Sequence, residues 1–158
     1  MPGDKKPVSV LVLIHATNLD VLLLERAARK GFWQSVTGSQ EDGELLHQTA
    51  RREVLEETGI DAAAGNVVDW RLSNRFEIFP EWRHRYPEGV SHNLEHVYSL
   101  CVPRDTAIVT APNEHLGHLW LPWRKAAEKV FSCTNRDAIL MLPLLNQDQD
   151  HDHSDRSS

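Results

Sequence analysis

The sequence predicts a layered α/β or α+β sandwich, and three observations point to it. Short runs rich in Val and Leu recur along the chain, Gly-free stretches with helical periodicity lie between and after them, and no repeat or linker divides the whole. At 158 residues the chain is long enough for one domain with a real core. Hydrophobic residues make up 41% and charged residues 25%, which is globular rather than disordered.

Element by element, "VSVLVLI" (8–14) and "VLLLE" (21–25) read as two strands joined by the polar turn "HATNLD", a hairpin pattern. "FWQSV" (32–36) is a short extended segment, and the loop "TGSQEDG" follows it. "ELLHQTARREVLEET" (44–58) lacks Gly and Pro and repeats with a helical period, and Gly59 is placed to stop it. "VVDWRLS" (67–73), "RFEIF" (75–79) and "EHVYSLCV" (95–102) read as strands. Between the last two, "PEWRHRYPEGVSHN" (80–93) reads as a loop because it holds two prolines and Gly89. "LGHLWL" (116–121) is a further strand, and "WRKAAEKVF" and "TNRDAILMLPLL" are helical. The single folded domain is expected over residues 1–145. From Asn146 on, "NQDQDHDHSDRSS" has no apolar residue and is expected to be a disordered tail. Its alternating Asp and His can hold stray divalent metal, but a solvated tail is the simpler reading.

Net charge is −6 with His neutral, which argues against a general nucleic-acid surface. Small phosphorylated substrates remain open, because a metal can offset the charge of an acidic site. No apolar run reaches the roughly 18 residues of a membrane span. The start, "MPGDKKPVSVLVLI", lacks a small-residue cleavage site and reads as a first strand. Two cysteines, Cys101 and Cys133, have no metal spacing, so a cytoplasmic setting is expected, with each as a small core residue.

Within the 44–58 helix, "RREVLEETGI" places Glu53, Glu56 and Glu57 within five positions. Like charges three and four apart repel by about 0.2–0.5 kcal/mol per pair. On a wheel of about 100° per residue, Leu46, Ala50 and Val54 form an apolar stripe about 80° wide. Glu57 falls inside that stripe, Glu53 beside it and Glu56 a little further round. A solvated surface helix fits this wheel badly, since unpaired buried carboxylates are disfavoured. A cluster that binds hard divalent cations through oxygen fits it well.

The context is Gly38, five residues, Glu44, seven residues, then Arg52-Glu53-Val54-Leu55-Glu56-Glu57-Thr58-Gly59-Ile60. This resembles the box of the Nudix hydrolases, G-x5-E-x7-R-E-U-x-E-E-x-G-U with U aliphatic, at every specified position. The resemblance implies an α/β/α sandwich with a mixed central sheet and hydrolysis of a diphosphate linked to another group. It implies that Glu53, Glu56 and Glu57 ligate Mg²⁺, or Mn²⁺ in its place, and that one of the site's glutamates or the metal itself activates water. Glu53, Glu57 and Arg52 are then the expected catalytic residues. Independently of the family, Gly38 and Gly43 permit a tight loop, Gly59 a left-handed cap, and Arg52 can orient Glu44 or Glu56.

Other stretches narrow the substrate. "FWQSVTGS", "FEIF", "RHRY" with "PEGV", "EHLGHLWL" and "KKPVSVLV" together resemble the bacterial dihydroneopterin triphosphate pyrophosphohydrolases of folate biosynthesis, from about Lys5 to Ile139. That resemblance implies cleavage of the small-molecule pterin triphosphate to a monophosphate and pyrophosphate. It also implies substrate contacts at Lys5, Arg26, Thr37 and Phe76-Glu77-Ile78-Phe79, and a further metal ligand at Glu114. Trp82 and Pro80 depart from the pattern in the loop before "RHRY". A flat pterin can stack on Phe76 or Phe79. Being three apart on a strand, one of the two is expected in the core. "RHRY" is a candidate phosphate clamp, against a plain exposed loop. The rival readings are a nucleoside triphosphate pyrophosphohydrolase, since guanine presents a similar edge, and a nucleotide-binding module without catalysis. The intact acids count against the latter.

Overall fold

A computed structural model describes the backbone of residues 3–155 and the side chains of residues 3–145. The strands are β1 (Val8–His15), β2 (Asp20–Arg26), β3 (Trp33–Gln34), β4 (Val36–Ser39), β5 (Val67–Glu77), β6 (His92–Cys101) and β7 (His115–Pro122). The helices are α1 (Leu46–Thr58), α2 (Trp123–Lys129) and α3 (Cys133–Asp155). The sheet is mixed, with order β3-β2-β1-β6-β5, β4 paired to β1 and β7 paired to β2. β1 and β6 run parallel, while β4 lies antiparallel on the other side of β1.

β1 sits at the centre and is buried on both faces, as its unbroken apolar run requires. Val10, Val12 and Ile14 pack towards Ala50 and Val54 of α1. Leu11 and Leu13 pack on the opposite side with Ala126 of α2 and Ile139 of α3. Two cores on two faces make the expected three-layer sandwich. Burying Val54 alone is worth about 1.5–3 kcal/mol.

The structure differs from the sequence reading in particular places. The expected β1–β2 hairpin shares only the His15–Val21 pair. The strands then diverge, β1 towards β4 and β2 towards β7. The segments 67–73 and 75–79 are one strand, interrupted by a register shift after Asp69 with Arg71 at φ 54°. That strand ends at Glu77, so Ile78 and Phe79 leave the sheet before the 3₁₀ turn Pro80–Arg85. Cys101 and Cys133 are exposed rather than in the core, because each stands at the end of its element. The backbone of α3 continues as helix to Asp155, where a disordered tail was expected from Asn146. No Gly or Pro interrupts residues 146–155, so local sequence does not end the helix. The tail's side chains from Asn146, and residues 156–158 entirely, lie outside the described residues.

Candidate active site

The site is built on α1 and on the loop that feeds it. Leu45 is the N-cap, and its N–H donates to Gln48 Oε1 at 2.9 Å. The helix therefore begins two residues later than expected and leaves Glu44 in front of it. At the other end Gly59 takes φ 76° and donates its N–H to the Leu55 carbonyl, the cap the sequence predicted.

Arg52 organises the acids around it. Its Nε and Nη2 donate to the two oxygens of Glu44 at 2.7 and 3.1 Å, a bidentate pair. Nη1 donates to Glu53 at 2.9 Å, and Nη2 also donates to the Ser39 carbonyl at 2.9 Å. The Arg52 hydrogen bond holds the Glu44 carboxyl down at about 2. Glu56 meets Arg52 more loosely, at 3.3 Å, and is half exposed. Of the two acids Arg52 was expected to orient, it grips Glu44.

Glu57 points into the fold, with Glu53, held by Arg52, beside it. Glu57 is only 2% exposed. Burial pushes its pKa well up, with Glu53 and Glu114 adding to the rise. Burial likewise raises Glu53 to about 7, with Arg52 opposing. The Thr37 hydroxyl donates to the Val10 carbonyl. Gly38 is the floor of this cradle, since a Cβ there would meet the Glu53 carboxyl carbon at 2.0 Å.

β7 closes the group from the far side. Glu57, Glu114 and His115 each offer a ligand atom within 4.8 Å of the others. His115 Nε2 stands 3.3 Å from Glu57 Oε1. Glu57 Oε2 and His115 Nδ1 are buried without a hydrogen-bond partner. Orphaned donor and acceptor atoms around clustered carboxylates fit a hard divalent cation, and the imidazole is compatible with Mn²⁺ as well as Mg²⁺.

A cationic wall adjoins the acids. Lys5 is close enough to feel Glu53, Glu57, Arg26 and Arg85, though burial is what chiefly lowers its pKa. Arg26 lies over the Trp82 ring at 4.7 Å, and Arg85 approaches the same ring at 5.8 Å. The Lys5 N–H donates to the Arg85 carbonyl at 3.0 Å, which ties the two segments. Of "RHRY", Arg83 is instead committed to Glu77 at 2.5 Å and to the Ile78 carbonyl. Neither Phe76 nor Phe79 is a core residue. Phe76 is half buried, Phe79 is 48% exposed and meets Trp82 edge-on, and Ile78 between them is buried. A hollow of about 380 Å³ beneath Arg83–Ser91 is lined by none of the box carboxylates.

A family model described as the NUDIX domain matches residues 5–141. The chain belongs to the Nudix family. It is 45% identical over 138 residues to the dihydroneopterin triphosphate diphosphatase of Escherichia coli K12, covering 85% of this chain and 91% of the relative. The Haemophilus influenzae protein of the same name is 36% identical, covering 85% and 86%. The solved E. coli dihydroneopterin triphosphate pyrophosphohydrolase superposes with a TM-score of 0.80 at 44% identity, covering 87% of this chain and 94% of that one. Within the Nudix box, Arg52 bonds Glu53 at 2.9 Å and meets Glu56 at 3.3 Å, while only Glu57 of the box acids joins the Glu57–Glu114–His115 group. His115 was not singled out from the sequence, and Arg85 was named only within the candidate "RHRY" clamp. His115 comes to Glu57 through the register that sets Arg26 opposite it on β2, and no local pattern encodes that pairing.

Proposed function

We propose that this Nudix hydrolase is a divalent-metal-dependent pyrophosphohydrolase that converts dihydroneopterin triphosphate to dihydroneopterin monophosphate and pyrophosphate, in the cytoplasmic synthesis of folate. The observation that carries this is the 45% identity across 91% of the E. coli dihydroneopterin triphosphate diphosphatase. Glu53, Glu57 and Glu114 would hold Mg²⁺ (or Mn²⁺), with Glu56 contributing from the rim. The bound cation supplies charge neutralisation of the phosphate chain and a lowered pKa for water. Arg52 fixes the rotamer of Glu53, so the carboxyl faces the substrate side. One of the site's glutamates takes the proton of the attacking water. Lys5, Arg26 and Arg85 form a positive wall able to hold the triphosphate. Thr37 offers backbone more than hydroxyl, since its Oγ1 is already committed to Val10. The partner is a small molecule, and the acidic balance argues against nucleic acid.

The experiment is a hydrolysis screen over dihydroneopterin triphosphate, GTP, dGTP, ATP and pyrimidine triphosphates with Mg²⁺, with products identified. The pterin should show the highest kcat/KM, with GTP about 10- to 100-fold lower. Pyrophosphate should be released as one unit. Orthophosphate alone, or a nucleotide turned over as well as the pterin, would overturn the reading.

A further inference from the structure

Five buried side-chain atoms among the described residues lack a hydrogen-bond partner, and they form two groups. Glu57 Oε2 and His115 Nδ1 belong to the metal-binding cluster. The other three are Ser39 Oγ, Asn93 Oδ1 and Glu95 Oε1. Ser39 pairs with Ser9 across β4 and β1, Ser9 with Glu95 across β1 and β6, and Glu95 with Asn74 across β6 and β5. Paired residues share a face of a sheet. Ser39, Ser9, Glu95 and Asn74 therefore make one polar row across four strands. Asn93 is two residues from Glu95 on the same face and donates to Ser9 Oγ at 2.7 Å. Phe76 stands opposite Asn93 in the register.

This row shares its face with Leu11 and Val97, so it looks towards the start of α3 and away from α1. Burial pushes the Glu95 pKa up, with Thr134 and Asn74 nearby opposing the rise, and its Oε1 has no hydrogen-bond partner. Glu95 is 5% exposed and Asn93 is 3% exposed. Buried acceptors left open carry a desolvation cost that a ligand's donors can relieve. The acids of α1 do not need this row, because they lie across the sheet from it. The row nevertheless begins beside the catalytic cradle. Gly38, against which Glu53 rests, precedes Ser39, and the Ser39 carbonyl accepts from Arg52.

We propose that Glu95, with Asn93 and Ser39, is the ring-reading subsite of the active site and takes the 2-amino-4-oxo-pyrimidine edge shared by pterins and guanine. This rests on the reading above that the substrate is a ring carried on a triphosphate. The adjacent ring N–H and exocyclic NH₂ donate side by side to the Glu95 carboxylate, in the geometry of a bidentate pair. The Ser39 hydroxyl faces the 4-oxo group as a donor, and Phe76 offers the ring an apolar neighbour. Adenine lacks the paired N–H and NH₂ donors, and uracil lacks the amino group. Either would leave Glu95 open, which is how a polar site rejects a misfit.

The test is Glu95→Gln, which preserves shape and replaces one acceptor by a donor. Steady-state kinetics with Mg²⁺ would compare dihydroneopterin triphosphate, GTP and ATP, and calorimetry would measure dihydroneopterin, which carries no phosphate. The kcat/KM ratio of the pterin to ATP should fall about 10²-fold, chiefly through KM, and dihydroneopterin binding should weaken in step. An unchanged ratio overturns the subsite, because a merely structural Glu95 would depress all substrates together. Should Glu95→Gln not fold, Ser39→Ala carries the same ratio test with a smaller fall, about 10-fold. A wild-type preference for GTP, lost relative to ATP in Glu95→Gln, keeps the subsite and removes the dihydroneopterin assignment. A wild-type preference for the pterin that survives the substitution does the reverse.

Discussion

A Cβ built on Gly38 meets the Glu53 carboxyl carbon at 2.0 Å and its nearer oxygen at 2.1 Å. The glycine is needed for that approach, whereas Gly43 in the same loop is needed for its φ of 77°. Gly38→Ala should displace Glu53 by about an ångström and leave the sheet intact. The expected result is a drop in kcat of about 10- to 10²-fold with little change in Tm. A normal kcat in a folded Gly38→Ala protein would show that Glu53 need not sit where it does. Glu57 carries a different burden. It is buried, flanked by Glu53 and Glu114, and short of one hydrogen bond. Glu57→Gln should lower kcat at least about 10²-fold. It should also make the Tm of the metal-free protein less dependent on pH, since the amide needs no proton to stay neutral. Near-normal turnover would remove Glu57 from the chemistry.

At the scale of the element, α1 depends on one arginine. Arg52 joins the helix to Glu44, to Glu53 and to the carbonyl of Ser39 on β4. A lysine presents one point charge and cannot reproduce the fork. Arg52→Lys should cost about 2 kcal/mol, on the scale of lost charge-assisted hydrogen bonds, read as a lower urea midpoint. The pH dependence has a definite sign. Glu44 is held at about 2, below its ordinary 4.5, so its contribution is present above pH 4.5 and fades as pH falls towards 2. Wild type and Arg52→Lys should therefore converge in stability at low pH; a gap that persisted at pH 2 would place the effect elsewhere. The same helix shows what sequence can convey. Its periodicity, its carboxylate arc and its glycine cap are all local signals, and each stands in the structure. The end of β5 was not legible in this way. "RFEIF" alternates like a strand, but the chain turns at Ile78 into the Pro80 turn. Phe76 and Phe79 thereby lose the alternation from which a core position was expected.

Across the whole molecule, the site joins segments that no sequence window spans. Lys5 precedes the first strand, Arg26 ends the second, Arg85 ends the 3₁₀ turn, Glu114 lies just before the last strand and His115 opens it. The spacing of the box names the acids, but only sheet register brings His115 to Glu57 or places Glu95 in a row with Ser39. The assembled carboxylates then set how the whole fold responds to pH. Burial raises both Glu53 and Glu57 above the ordinary carboxylate range, Glu53 to about 7. The folded protein thus holds protons that the unfolded chain releases. That stability is fully present below about pH 4.5 and is lost as pH rises through about 7. Without metal, Tm should fall between pH 5 and pH 8. A divalent cation takes the place of those protons and competes with them, so it binds more tightly as pH rises. At a hundred times its dissociation constant it adds about 2.7 kcal/mol. The Tm increase produced by a fixed Mg²⁺ or Mn²⁺ concentration should accordingly be larger at pH 8 than at pH 5, and should shrink at both in Glu57→Gln. Scanning fluorimetry of the two proteins at the two pH values, with and without metal, measures this directly. A metal-induced shift that is equal at both pH values, or unaltered by Glu57→Gln, would separate the cation from these carboxylates.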